Sequence, residues 1–401
     1  MSSKLQGREL YESLGSPKKI VAPMVDQSEL AWRILSRRHG ADLCYSPMYN
    51  ARLFGTNETY RRDNFGELDG DEKIDRPLVV QFCANNPDEL LAAAKHVVGR
   101  CDAVDLNLGC PQGIARKGHY GAFLMEEWDL IHSMISKLHQ ELDVPVTAKI
   151  RIFPEKEKTL EYAKMVLSAG AQFLTVHGRT REMKGQQTGL ADWSYIKYLR
   201  DNLPPNTVIF ANGNIVYQHD IPRCLEVTGA DAVMSAETNL VNPAVFSTNS
   251  TIDNEYPRVD KLLREYFEIA KETPGRASAA AMKSHFFKIL RSFLPHAIDI
   301  RNQIGPIKRG EYEKYEDIVR QVEERVAKVL SEEGVEDKVT NDGEYKNVPY
   351  WRCQPLFRVV DGMASNGKIT GKRKATDQAS EVSQSEKMAK VEAQDTIPAT
   401  A

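Results

Sequence analysis

The chain has 401 residues, 41% of them apolar, and a formal net charge of -3. That length accommodates one large domain plus a smaller one with a sizeable core, and the near-neutral charge excludes a globally basic nucleic-acid-binding protein, so any such surface must be a local patch. No apolar run approaches the length of a membrane span, and the N-terminal residues lack the apolar core of a secretory signal, so neither a membrane protein nor an exported one is expected.

The six cysteines, Cys44, Cys83, Cys101, Cys110, Cys224 and Cys353, form no Cys-x-x-Cys pair. The pattern points away from zinc and iron–sulfur sites and toward reduced thiols in a cytoplasmic and/or nuclear protein. Two sequons, at Asn57 and Asn249, carry no weight without an export signal.

Short apolar runs alternate with amphipathic segments over roughly the first 240 residues. Eight runs read as strands: Lys19–Ala22, Ala41–Tyr45, Leu78–Phe82, Ala103–Asn107, Val144–Ile150, Phe173–Val176, Val208–Ala211 and Ala232–Met234. Helical periodicity occupies Glu29–Arg38, Pro87–Val98, Glu127–Leu142, Lys158–Ala169, Trp193–Asp201 and Ile221–Thr228 between them. This alternation implies parallel pairing with helical crossovers, and eight such units predict an α/β fold, a (β/α)8 TIM barrel over residues 1–250. A doubly wound open sheet is the second architecture. It would usually carry a Gly-x-Gly-x-x-Gly turn after its first strand, which is absent.

From Val259 the texture is helical only. The sets Leu262, Leu263, Tyr266, Phe267, Ala270; Phe286, Ile289, Leu290, Phe293, Leu294; and Ile318, Val322, Val326, Leu330 predict a small antiparallel bundle over 255–335. An aromatic and basic segment, 336–364, contains Trp351. Residues Ser365–Ala401 contain no Leu, Phe, Tyr or Trp and are expected to be a disordered tail, with a basic cluster at Lys372-Arg373-Lys374.

The most informative stretch is Asp105-Leu106-Asn107-Leu108-Gly109-Cys110-Pro111-Gln112-Gly113. It reads as the end of a buried strand breaking into a glycine- and proline-shaped loop that carries one thiol. Barrels of this kind place their chemistry just past the C-terminal ends of the strands. At those points the chain has Pro23-Met24-Val25, Gln81, Asn107 and Cys110, Lys149 and Arg151, His177 and Arg179, Asn212-Gly213-Asn214, and Ala236-Glu237. Each has an ordinary structural explanation alone. Stability does not require an amide, a thiol, an ammonium and an imidazole at one face of one barrel. The set suits a flavin: a buried lysine stabilises the anionic reduced ring near N1 and O2, an amide such as Gln81 matches its imide edge, and late glycine-containing loops offer N–H groups to its phosphate.

The ordered runs Val-Ala-Pro-Met-Val, Asn-Leu-Gly-Cys-Pro, Lys-Ile-Arg, Val-His-Gly-Arg-Thr and Ala-Asn-Gly-Asn-Ile resemble the tRNA-dihydrouridine synthase family over roughly residues 15–335. The loop from Gly109 to Phe123 is similar to the eukaryotic branch that acts on positions 16 and 17 of the tRNA D-loop. The resemblance implies an enzyme that uses FMN, with NADPH as reductant, to reduce the C5–C6 bond of uridine. It implies hydride transfer to C6 and proton donation to C5 by Cys110, a role suited to a thiol that is protonated at neutral pH. It further implies support of the reduced flavin by Lys149, and contacts to the substrate from Asn107, Arg151, Arg179 and Lys117. Many members hold the flavin phosphate with a Gly-Arg pair after the eighth strand. This chain has Ala236-Glu237 there, so backbone N–H contacts are expected instead.

The target uridine must leave its stack, so a flipped-base pocket is implied. The stretch 282–309 holds Lys283, Lys288, Arg291, Arg301, Lys308 and Arg309 against a single acid, Asp299, and is the expected phosphate-binding face. The partners expected are tRNA and NADPH, with no metal, no membrane and a monomeric chain. A flavin barrel acting on a free pyrimidine, as in dihydroorotate dehydrogenase, and an inactive tRNA-binding chaperone are the competing functions. The helical appendage opposes the first, and intact Cys110 and Lys149 oppose the second.

Overall fold

The computed structural model describes residues 4–356 apart from 186–187, 250 and 343–344. Eight parallel strands, β1 (Lys19–Val21), β2 (Leu43–Asn50), β3 (Leu78–Cys83), β4 (Ala103–Leu108), β5 (Val146–Arg151), β6 (Phe173–His177), β7 (Val208–Asn212) and β8 (Ala232–Ser235), pair in sequence order. β1 pairs with β8 and closes the barrel, which rules out the open doubly wound sheet. β5 starts at Val146 because Pro145 has no N–H to donate to a ladder. β2 runs on to Asn50 through a register shift between Tyr45 and Met48, where Pro47 interrupts pairing and the chain bulges.

The barrel interior follows from period-two alternation. Along β4, Val104, Leu106 and Leu108 join the outer core under the helices, while Ala103 joins the inner cluster. That inner cluster includes Ile20, Leu43, Tyr45, Val79, Phe173, Val208 and Phe210. A helix absent from the sequence reading, α1 (Gly7–Ser13), adds Leu10 and Tyr11 to it. The Tyr11 hydroxyl donates to the carbonyls of Pro17 and Asp231, just ahead of β1 and β8, so α1 closes the N-terminal end. Further along the same strands the inward positions turn polar. Asp105, Asn107, Thr147, Lys149 and Thr175 are all buried.

Helices α2 (Leu30–Arg38), α3 (Ala51–Thr56), α4 (Glu58–Asn64), α5 (Pro87–Lys95), α6 (Gly113–Lys117), α7 (Trp128–Glu141), α8 (Lys156–Ser168), α9 (Trp193–Asn202) and α10 (Asp220–Thr228) follow the strands. Short α11 (Glu237–Val241) and α12 (Ile252–Glu255) then lead to α13 (Val259–Glu272), α14 (Arg276–Ile289), α15 (Ile298–Ile304) and α16 (Tyr312–Leu330). The four last helices do not close on themselves. Their core takes in Ala31, Trp32 and Leu35 of α2 and Leu240 of α11. Trp32 stacks on His285 with centroids 4.1 Å apart. Glu29 holds His285 Nε2 at 3.0 Å and accepts from the Tyr266 hydroxyl at 3.3 Å.

Trp351 belongs to this core as well. Buried Arg352 beside it forks onto Asp337, at 2.6 and 2.7 Å, and reaches Asp253 at 2.8 Å. The stretch around Trp351 therefore seals the joint between α12 and α13. The expected tail, 365–401, lies outside the described residues, and with it Lys372-Arg373-Lys374. No described helix is long and apolar enough to cross a membrane.

Candidate active site

The C-terminal strand ends open into a cleft of about 1190 Å³. Asn107, Cys110, Lys149 and Arg151 line it from β4 and β5, and Gln81 from β3. His177, Arg179, Asn212, Gly213 and Asn214 line it from the later strands, and Pro23, Val25, Ala236 and Glu237 flank the β1–β8 seam. Two expected residues lie elsewhere. The Met24 side chain packs between the barrel and helical cores, and Lys117 is exposed at the end of α6.

The floor is an ordered chain of amides. Asp105 accepts from Thr147 Oγ1 at 2.6 Å and from Gln81 Nε2 at 2.8 Å. An ionised carboxylate only accepts, so Gln81 must turn its nitrogen toward it. Gln81 Oε1 then accepts from Asn107 Nδ2 at 2.9 Å. Asn107 is left with its oxygen facing the loop, where it accepts from the backbone N–H groups of Gly109 and Cys110 at 3.1 and 2.9 Å. One buried carboxylate thereby sets the sense of two amides and moors the cysteine loop. Burial raises the Asp105 carboxyl to about 6, which is the electrostatic cost of keeping it there.

Cys110 sits half-buried on this loop. Gly121 backs it at φ +66°, and a Cβ at Gly121 would fall 2.8 Å from the Cys110 carbonyl oxygen. The arrangement therefore requires glycine. Arg151, the expected substrate contact, lines the cleft and engages backbone through Nε and Nη1. It donates to the carbonyls of Gly109 at 2.8 Å, Thr180 at 2.6 Å and Met183 at 3.1 Å. It pins the cysteine loop to the loop after β6.

Lys149 is buried, and its Nζ donates to Asn212 Oδ1 at 2.9 Å. Burial lowers its ammonium to about 7, with Arg151 and Arg179 adding repulsion. An anion arriving beside it would restore the charge. On the opposite wall an arginine can only donate, so the 2.8 Å contact between Arg179 and His177 Nε2 makes that nitrogen the acceptor. Arg179 also donates to Gly189 O and to Asn214 Oδ1. Asn214 adopts φ +62° and bonds Ala191 through both its oxygen and its nitrogen. Gly213, at φ +118°, lies so close to Ala191 that a Cβ would approach the alanine methyl to 2.5 Å.

A family model described as Dihydrouridine synthase (Dus) matches residues 20–340. The chain belongs to the dihydrouridine synthase family. It is 60% identical over 382 residues to the tRNA-dihydrouridine(16/17) synthase [NAD(P)(+)] of Saccharomyces cerevisiae, covering 92% of this chain and 90% of that one. The Schizosaccharomyces pombe protein of the same description is 50% identical over 371 residues, covering 90% and 92%. A Homo sapiens tRNA-dihydrouridine(20a/20b) synthase-like protein is 35% identical over 242 residues, covering 60% of this chain and 73% of that one.

For this family member the expected residues make up fewer than half of those lining the cleft, and they leave out what stands beneath and beside them. Asp105 and Thr147 were read as strand residues. The alternation along β4 and β5, which places them on the same face as Asn107 and Lys149, was the available signal. Asp220 was also missed; its carboxylate accepts from the N–H groups of Val216 and Tyr217 and shapes the loop after β7.

Proposed function

We propose that this chain is an FMN-dependent tRNA-dihydrouridine synthase that reduces uridines 16 and 17 of the D-loop with NADPH. The observation that carries the proposal is one cleft lined by both a moored Cys110 and a buried Lys149 whose ammonium donates to the neutral amide oxygen of Asn212. The residues fit a flavin. Gln81 keeps one N–H and one lone pair beyond those used by Asp105 and Asn107, Lys149 offers a cation to an anionic ring, and the tight Gly213 turn brings backbone close to the cleft.

When bound, the flavin supplies hydride to the pyrimidine. In this reading Cys110 Sγ holds the proton delivered to C5, Lys149 balances negative charge at the ring, and Gln81 orients that ring. The coverage favours positions 16 and 17: relatives named for those positions align over about nine-tenths of the chain, against 60% for the 20a/20b relative. Family membership and the large cleft weigh against a free-pyrimidine enzyme. The presence of both Cys110 and Lys149 weighs against an inactive chaperone. The test is to incubate the purified chain with NADPH and unmodified tRNA, then map dihydrouridine by mass spectrometry and analyse any flavin released by heat. Dihydrouridine confined to positions 16 and 17, with FMN in the extract, is the expected result. No dihydrouridine, from protein supplied with FMN, would refute it.

A further inference from the structure

We propose that Arg116, Arg181 and Lys184, gathered around the Phe123 ring beside the Cys110 loop, form a phosphate-binding clamp for the RNA strand that flanks the nucleotide being reduced. The inference rests on the tRNA reading above and adds a surface at the cleft rim, separate from the basic stretch 282–309.

Three cations from two loops converge on one ring. The guanidinium of Arg116, on α6 after β4, lies 5.2 Å from the Phe123 centroid. From the loop after β6, Lys184 Nζ lies at 5.8 Å and the Arg181 guanidinium at 5.9 Å. Phe123 is itself anchored, in a small cluster with Cys83, Ala115, Tyr120, Met48 and Cys110. The ring therefore fixes the cations relative to the thiol. Lys184 Nζ donates to the carbonyl of Pro111, the residue after Cys110, at 3.0 Å, and Arg181 reaches Ala122 O at 3.5 Å.

Charge around the ring is poorly balanced. Glu182 pairs with Arg181 at 3.1 Å, but Arg181 is half-buried and Glu182 exposed, so that pair contributes little. Among the described residues no salt bridge joins Arg116 or Lys184 to a carboxylate. Cation–π attraction at a partly exposed ring is weak, and the cations repel one another. An anion shared between them removes that repulsion. A uridine whose base enters the cleft leaves its own phosphates at the rim, where Arg116 and Arg181 stand outside the cleft lining and Lys184 within it. The phosphates of the nicotinamide dinucleotide are the other source of such an anion.

The variants Arg116→Gln, Arg116→Lys and Arg116→Gln/Arg181→Gln, made in the full chain, separate the two sources. Arg116 makes no anchoring bond to the cysteine loop, so its single variants test charge without disturbing Cys110. For each protein, KM for unmodified tRNA is measured at several salt concentrations. The rate of flavin reduction by NADPH is measured without tRNA. The expected outcome is a KM for tRNA raised about tenfold in the double variant, and a salt slope flattened by about 0.7 per lost contact. Arg116→Lys should recover most of the loss, and NADPH reduction should be unchanged throughout. Unchanged tRNA KM and slope would overturn the clamp, as would a loss confined to the NADPH step, which would assign the anion to the dinucleotide. A wild-type chain that forms no dihydrouridine would refute the parent reading, and the clamp with it. Wild-type activity alongside unaffected variants would refute the clamp alone.

Discussion

The two ends of the barrel interior are built from the same strands by the same alternation, yet they do opposite things. At the N-terminal end Ile20, Leu43, Phe173 and Phe210 pack against Leu10 and Tyr11 of α1, and burial there stabilises the fold. Two or four residues further along, burial falls on Asp105 and Lys149. There it raises a carboxyl to about 6 and lowers an ammonium to about 7. The first end supplies stability, and the second holds ionisable groups at an electrostatic cost. The difference teaches that a barrel layer is structural or functional according to what its inward positions carry, not according to how deeply it is buried.

Removing the thiol should separate the two ends most sharply. Cys110→Ala is expected to lower turnover on tRNA by 10²-fold or more, the size of a lost proton donor, while thermal stability and flavin reduction by NADPH stay near wild type. Rapid-quench assays of dihydrouridine beside a melting curve check this. A variant with wild-type turnover would show that the proton comes from elsewhere.

The opposite substitution is at the closed end. Phe210→Ala is expected to cost about 3–5 kcal/mol of stability, and the protein that remains folded should keep its KM for tRNA. Denaturant titration gives the first quantity and steady-state kinetics the second. A KM change without a stability change would abolish the distinction between the ends.

Lys149→Met joins the two behaviours. The lysine titrates near 7 in the folded chain and near 10.5 when exposed, so the unfolded state binds more protons between those values. The folded state therefore carries the whole penalty below pH 7, and the penalty fades as pH rises toward 10.5. The methionine variant of the cofactor-free protein should thus gain most at pH 6, up to about 5 kcal/mol, and progressively less at higher pH. It should also bind or reduce its flavin poorly. A stability gain independent of pH would sink the account of Lys149 as a buried, charge-starved cation.

The smallest effect is expected on the helical face. Lys283→Ala, Lys288→Ala and Arg291→Ala together should weaken tRNA binding and flatten its salt dependence, with flavin reduction unchanged. Lys283 already donates to Gly305 O, which makes it less available to a phosphate. Parallel salt plots of equal affinity would make this face solvated surface only.

Local pattern by itself determined the eight strands, their parallel order, and the thiol, amide, ammonium and imidazole at the strand ends. Each of these is written in a few consecutive residues, through period-two runs, proline and glycine breaks, and strand-end position. Tertiary structure alone decided what those groups touch. Nothing near Arg151 in the chain says that it pins Gly109 and Thr180. Nothing near Trp351 says that it completes the core around Trp32, and Arg116 and Lys184 lie too far apart in the chain for any local periodicity to join them at Phe123. These contacts depend on closing long loops and on the register of the barrel, and neither leaves a signature in the residues that eventually meet.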